Sequence, residues 1–353
     1  MSNKWIIGLR DPILVTGGNG FIGASVVREF QRLGFEEVRA MVRYVPQPGG
    51  QGSTKRSEDQ PRPTYVEGNL LSTEDCARVV KGAKVIVHLA AGADKSFSGS
   101  FYNSVIVTRN LLDAAAAEGC LVRFLNVSSF AVYSNWSIPR RGMLDEQCAV
   151  ESNPYLRYEP YCYAKTKQDE LAREMGEQYG IPVVTVRPGA VFGPRSRQYL
   201  TPRIGIDTFG IFLHLGGKNR IPLTFVDNCA EAIALAALSR GVDGEVFNIV
   251  DDDLPRSKDF LREFKQNACR FPSISIPYQL FYLFCHFWER YSAWSKGQLP
   301  PVFNRRRCAA YWKGNIYSND KAKRMLGWSP RVPYAEAARS HFEYFKKAGI
   351  SGK

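Results

Sequence analysis

Thr16-Gly17-Gly18-Asn19-Gly20-Phe21-Ile22-Gly23 is the stretch on which the reading of this chain turns. It follows a short apolar run, 13–16, and opens a run with the apolar spacing of a helix, 22–33. The pattern Gly-x-x-Gly-x-x-Gly permits a tight turn, brings backbone N–H groups close to a pyrophosphate and lets the helix pack tightly on the strand. A bare glycine triplet carries little information, but one set between a strand and a helix reads as a dinucleotide-binding turn.

Outward from this turn the pattern repeats. Apolar runs at 13–16, 38–42, 64–67, 85–89, 123–127, 183–187 and 246–249 predict strands, and 22–33, 73–81, 103–118, 161–179 and 228–239 predict helices between them. Strands alternating with helices build βαβ units and a parallel sheet. The expected fold class is α/β, a Rossmann doubly wound parallel sheet with a smaller C-terminal mixed α/β substrate domain. The alternation assigns 11–192 and 224–250 to the Rossmann domain, and 193–223 with 251–346 to the substrate-binding domain. Between the second and third strands, 46–63 reads PQPGGQGSTKRSEDQPRP, a composition that predicts a mobile loop and a shortened crossover helix.

A chain of 353 residues has room for one large domain or two ordinary ones, and 44% hydrophobic with 23% charged residues excludes a disordered, collagen-like or disulfide-stapled chain. The net charge of +13 points to an anionic partner such as a nucleotide, a phosphate or a membrane surface. The basic residues are dispersed and no aromatic-basic stacking motif appears, which argues against nucleic acid. Eight scattered cysteines without Cys-x-x-Cys or zinc spacing predict reduced thiols and no metal site. The first ten residues lack the apolar core and cleavage site of a signal peptide, and no run reaches the roughly 20 apolar residues that span a bilayer, so a cytoplasmic location is expected. The aromatic run IPYQLFYLFCHFW at 276–288 predicts a helix packed on its domain, with a peripheral membrane or partner contact through 276–294 as the second reading.

The strand at 85–89 runs into Ala90-Ala91-Gly92, small residues over which a cofactor can lie, and His88 reads as a packed or hydrogen-bonded residue rather than a base. The second strand ends in Val42, where an acid that binds the adenosine ribose is usual, and Arg43 follows. Without that carboxylate, and with a guanidinium able to pair with a 2′-phosphate, the cofactor reading is NAD(P), with NADP(H) favoured over NAD(H). Asn69 stands where a polar contact to adenine is useful. Ser129 ends the fifth strand, and Tyr161 and Lys165 lie four residues apart on one helical face. A phenol with a pKa of about 10 serves as a base near neutrality only beside a cation. Lys165 supplies that cation, Ser129 holds the substrate hydroxyl or carbonyl, and the cofactor carries the hydride. Tyr163 and Lys167 satisfy the same spacing; Pro160 favours Tyr161 by setting it at the helix start.

With HLAA at 88–91, VSSFAVY at 127–133, YCYAK at 161–165, RPGAVFGP at 187–194, FVDNCAEAI at 225–233 and YSNDKAKRMLGWSP at 317–330, the chain resembles the extended short-chain dehydrogenase/reductase family in its NAD-dependent epimerase/dehydratase branch. The resemblance covers nearly the whole chain. It implies a Rossmann domain that binds a nicotinamide cofactor, a C-terminal domain that binds substrate, often a nucleotide-diphosphate sugar, and a homodimer through the helices 103–118 and 161–179. Carried over residue by residue, it implies that Gly17, Gly20, Phe21, Ile22, Gly23, Arg43, Asn69, Leu70, Leu89, Ala90, Ala91, Tyr161, Lys165, Pro188 and Val191 line the cofactor, with Ser129, Phe130, Arg195 and Arg203 toward the substrate. The family's dehydratases place an acidic pair just after the serine or threonine, whereas Phe130-Ala131 stands here, which disfavours 4,6-dehydration. Ser104 also replaces the usual asparagine. The expected activity is that of a 4-epimerase or keto-reductase of a nucleotide-diphosphate sugar. The alternative is 3β-hydroxysteroid-dehydrogenase-like oxidation or reduction of an apolar alcohol or ketone.

Overall fold

The computed structural model describes residues 4–45 and 63–349, apart from 93, 197, 209 and 297. The loop expected over 46–63 lies outside the described residues except for Pro63. Strands β1 (Ile13–Thr16), β2 (Val38–Val42), β3 (Thr64–Glu67), β4 (Val85–His88), β5 (Arg123–Val127), β6 (Val183–Pro188) and β7 (Val246–Ile249) form one seven-stranded sheet in the order β3-β2-β1-β4-β5-β6-β7. The ladders from β3 to β6 are all parallel. Every residue of β1, β4 and β5 is buried, as in a sheet covered on both faces. The strand order reverses between β1 and β4, and in such sheets ligands bind beyond the carboxyl ends of the strands at the switch point. The expected Rossmann class is observed.

The connecting helices are α1 (Phe21–Arg32), α2 (Thr73–Val80), α3 (Val107–Glu118), α4 (Pro160–Tyr179) and α5 (Val226–Leu238). The Ser72 side chain accepts from Asp75 N and caps α2, whose first turn carries Glu74 and Asp75 at the positive end of the helix dipole. Gly119, at φ 69°, closes α3 in the left-handed conformation. Leu14, Ile86 and Phe124 of the sheet pack with Val79 and Val80 of α2, Leu111 and Leu112 of α3, and Ala172 of α4. Each large apolar side chain buried there contributes about 1.5–3 kcal/mol. Arg123, at the start of β5, donates to the carbonyls of Ala236, Ala237 and Ser239 and pairs with Asp243. Those carbonyls end α5, so a β-strand residue caps the helix. The helix expected from 103 is interrupted by a π-helical stretch, Tyr102–Ile106, before α3 begins.

The chain forms two compact units, one of Met1–Ser128, Lys167–Arg187 and Cys229–Phe247, the other of Ser129–Thr166, Pro188–Asn228 and Asn248–Lys353. The segment Ser129–Thr166 thus packs with the second unit, whereas the alternation grouped it with the sheet. The second unit contains a three-stranded sheet in which Ile211–His214 pairs antiparallel with Gly205–Thr208 and parallel with Ser273–Ser275. On one face Leu213 joins Leu215, Phe281, Cys285, Cys308 and Trp312. His214 points to the other, toward the helix Ser257–Asn267, where its Nε2 meets Ser257 Oγ at 3.0 Å.

The aromatic run forms the helix Tyr278–Trp294, with Phe281, Cys285 and Ser292 buried. Leu280, Leu283, Phe284, Phe287, Tyr291 and Trp294 are exposed, Trp294 by 77%. Their spacing places them along a second apolar stripe, on solvent. No helix among the described residues is long and apolar enough to cross a membrane. All eight cysteines are free thiols, and the described residues hold no group of three or more His, Cys, Asp or Glu able to bind a metal ion.

Candidate active site

In the first unit, β1 ends at Thr16 and the chain turns through Gly17 at φ 68°. A Cβ on Gly23 would stand 2.1 Å from Gly17 O, and one on Gly18 would stand 2.7 Å from Ala40 Cβ. Both are collisions, so the turn accepts only glycine at these places. Gly18 was not singled out in the sequence, where its need depends on a neighbouring strand. Gly20 is the N-cap of α1 and offers no side chain to the first-turn N–H groups, and no acidic residue stands in that turn. Backbone donors at a positive helix end fit the pyrophosphate of a dinucleotide.

Thr16 ties this turn to β4. Its Oγ1 accepts from Leu89 N at 3.1 Å and Ala90 N at 3.2 Å, which leaves its own hydrogen for His88 Nδ1 at 2.9 Å. Thr108 Oγ1 donates to Ser104 O and accepts from Gln168 Nε2, so His88 Nε2 carries the proton it gives to Thr108. Both ring nitrogens of the buried His88 are thereby engaged. A second buried group joins Asn126, Asp169 and Arg187, with Asp169 accepting at 2.8 Å from Asn126 and at 3.2 Å from Arg187.

Phe21, Ile22, Leu89 and Ala90 are half-buried, and Arg43, Asn69 and Ala91 are exposed. Asn69 Oδ1 accepts from Leu71 N at 3.1 Å. Leu70 puts its side chain into the core beside Cys76 and Val79, which leaves only its backbone for a ligand, and Leu70 O already accepts from Asn110 Nδ2.

In the second unit, Ser129 is extended and its Oγ accepts from Ala131 N at 3.1 Å, capping a short 3-10 turn. Its hydroxyl hydrogen remains available for donation. Two side chains hold the next carbonyl: Ala131 O accepts from Arg157 Nη1 at 2.5 Å and from Cys162 Sγ at 3.1 Å. Arg157 pairs through Nη2 with Glu159 at 2.7 Å, and the Tyr311 hydroxyl donates to the same carboxylate. Burial pushes the Cys162 thiol up to about 11 and raises the Tyr311 phenol, so both stay protonated near neutrality. This cluster fixes the Ser129 turn and the start of α4 within one unit. No local pattern signals it, because Arg157 and Tyr311 are ordinary polar residues until the fold buries them.

α4 begins at Pro160, so Tyr161 lies in its first turn and Lys165 one turn on. Tyr161 and Tyr163 are half-buried, and Lys165 is only 4% exposed. Lys167, the partner in the other register, pairs with Glu170 at 2.7 Å with its side chain 38% exposed. Pro188 is buried and Val191 half-buried; a Cβ on the intervening Gly189 would lie 2.2 Å from Pro222 O, so the chain turns there without room for a side chain. Phe130 packs between Tyr133 and Tyr317 and is 2% exposed, which leaves backbone rather than ring for a ligand. Arg203 is also buried, donating to Ala310 O at 3.1 Å with Tyr311 and Tyr317 against its guanidinium. Arg195 is exposed, with φ 70°.

The sequence pattern described as the NAD dependent epimerase/dehydratase family matches residues 13–250. A trifunctional UDP-glucose 4,6-dehydratase/UDP-4-keto-6-deoxy-D-glucose 3,5-epimerase/UDP-4-keto-L-rhamnose-reductase of Arabidopsis thaliana is 24% identical over 94% of this chain and 46% of its own length. The chain thus spans about half of that relative. Sterol-4-alpha-carboxylate 3-dehydrogenase, decarboxylating, of Homo sapiens is 25% identical over 94% of this chain and 87% of its own. Among solved structures, UDP-glucuronic acid 4-epimerase from Bacillus cereus in complex with NAD superposes with a TM-score of 0.70 at 21% identity, covering 96% of this chain and 99% of that one.

Proposed function

Because this chain belongs to the NAD-dependent epimerase/dehydratase family, we propose that it oxidises and reduces a carbinol carbon of a nucleotide-diphosphate sugar, as a 4-epimerase or keto-reductase. The observation that carries the reading is the buried Lys165 one turn after Tyr161 at the start of α4. A nicotinamide cofactor, when bound, supplies the hydride chemistry. The turn from Gly17 to Gly23 holds its pyrophosphate, with Ala90 and Ala91 beneath it. Tyr161 Oη takes the proton from the substrate hydroxyl and returns it. Lys165 stabilises the phenolate and binds the nicotinamide ribose. Ser129 donates to the substrate oxygen and orients it. The solvated Lys167–Glu170 pair supports Tyr161 over Tyr163 as the base, since a lysine already neutralised by a carboxylate does little for a phenolate.

Arg195 is the exposed cation that supports a diphosphate-bearing substrate. Phe130-Ala131 in place of an acidic pair speaks against dehydration, although dehydration is among the activities in the name of the Arabidopsis relative. Arg43 supports use of NADP(H) beside NAD(H). The homodimer through α3 and α4 and the cytoplasmic location rest on the family resemblance and on the composition. The second reading, an apolar alcohol or ketone, is favoured by the exposed stripe of Tyr278–Trp294, which suits a protein that meets its substrate at a membrane surface.

The test is titration with NAD, NADH, NADP and NADPH, then turnover with a panel of UDP-, GDP- and dTDP-sugars beside 3β-hydroxysterols. Turnover of a nucleotide sugar is expected; turnover of sterols alone replaces the first reading by the second. Tyr161→Phe should lose about 10²–10⁴ in kcat while cofactor binding survives. Full activity in that variant together with loss in Tyr163→Phe would reverse the register. Arg43→Ala should weaken NADPH far more than NADH, and equal losses would sink the 2′-phosphate role.

A further inference from the structure

The second unit holds a cavity that none of the residues assigned to cofactor or chemistry lines. Its volume is about 720 Å³, and its walls are one face of the helix Ser257–Asn267, the segment 270–275 and His214. Side chains three and four apart share a helix face, so Lys258, Arg262 and Lys265 stand in a row along it, and Arg270 adds a fourth cation from the facing segment. Among the described residues, no lining side chain is a carboxylate.

Like charges at this spacing destabilise a helix, and here they are only partly offset. Asp259, which does not line the cavity, meets Arg262 at 3.0 Å. Lys265 donates to Ser273 Oγ at 3.0 Å and lies 5.3 Å from the Phe271 ring centroid. Glu263, the other acid of the helix, accepts from the Tyr334 hydroxyl at 2.8 Å. The inner wall is braced by His214, 4% exposed, which bridges Ser275 Oγ at 2.9 Å and Ser257 Oγ at 3.0 Å. Burial holds that imidazole below its ordinary pKa, so it contributes hydrogen bonds rather than charge.

The geometry points to a second anion-binding site in this cavity, separate from the glycine turn, which takes a diphosphate or polyphosphate group. The depression is broad and open to solvent, so a ligand there is held by charge and hydrogen bonds rather than by enclosure. Arg262 and Arg270 bring planar forks suited to phosphate oxygens, and the two lysines bring mobile point charges. A bound anion relieves the crowding among the four cations. The same chemistry is offered by a soluble diphosphate and by the phosphate headgroup of a lipid.

The experiment is calorimetric titration of the whole protein with inorganic pyrophosphate in the presence of saturating NAD, which fills the glycine turn. In parallel, co-sedimentation is measured with phosphatidylcholine vesicles with and without phosphatidic acid. Saturable pyrophosphate binding that weakens with added salt assigns a soluble ligand; binding confined to the phosphatidic acid vesicles assigns a headgroup. Either should fall at least tenfold in a Lys258→Glu, Lys265→Glu variant and in an Arg262→Ala, Arg270→Ala variant, with NAD affinity and circular dichroism unchanged. These side chains are exposed or half-buried, so the fold does not depend on them. No saturable binding of either probe, or undiminished binding in both variants, overturns the site. NAD titrated alone reports on the proposed redox function separately.

Discussion

Arg123 and Arg157 are both 1% exposed; Arg123 donates to three backbone carbonyls and Arg157 to one, and each also donates to one carboxylate. Their carboxylates differ. Asp243 has a side chain 53% exposed, whereas that of Glu159 is 9% exposed. Arg123 therefore works chiefly on the carbonyls that end α5, at the negative end of a helix dipole. Arg157 belongs to an interior cluster that fixes Ala131 O, two residues after Ser129. One arginine finishes a framework element; the other sets the position of a turn that the proposed chemistry uses. Burial and ion pairing alone do not distinguish the two duties, but the identity of the carbonyl does.

The largest expected effect is at Arg157. Arg157→Ala leaves Glu159 buried without its cation, a loss of about 3–5 kcal/mol, read as a lowered urea midpoint. Its turn also drifts, so kcat of the remaining folded protein should fall, by up to about 10²-fold for a displacement of 1 Å. Lysine should not restore it, since one ammonium cannot reproduce the planar fork. An unchanged kcat would break the comparison. Next, Arg123→Ala frees the carbonyls at the end of α5 but leaves Asp243 in water rather than buried and unpaired, so a smaller stability loss of about 2–3 kcal/mol is expected, with kcat unaltered. A fall in kcat there would show that both arginines serve the site.

A third effect concerns pH. Burial raises the Asp251 carboxyl to about 6, although Phe225 N and Thr224 donate to it. Its folded pKa exceeds its unfolded one, so the folded state holds more protons between about pH 4 and 6, and stability falls as pH rises through that window. The loss is at most about 3 kcal/mol. Asp251→Asn should flatten that slope in urea titrations at pH 4, 5 and 6 without touching kcat. A slope identical to that of the parent would remove Asp251 as its source.

The sheet was legible because its signals are local. Seven apolar runs and the helices between them fall within a few residues of the observed elements, and the glycine spacing marks the switch point where the strand order reverses. Tyr161 and Lys165 were legible as a helical pair for the same reason. Arg123 and Arg157 were not, because their partners lie 113 to 120 and 26 residues away along the chain, except for Glu159. The π-helical stretch at Tyr102–Ile106 was hidden because side-chain periodicity does not register one extra residue in a turn. Phe130 and Arg203 are expected toward the substrate, but tertiary packing buries both side chains, which no local pattern announces.

The 2.7 Å approach of a Gly18 Cβ to Ala40 has a consequence for descent. The cradle turn and the second strand share one volume that neither residue can enlarge alone. Ala40 is wholly buried against that turn, so a chain that keeps the turn is expected to keep a small residue at position 40. Reading positions 18 and 40 together across descendants would therefore separate lineages that still keep the cradle from those that have given it up.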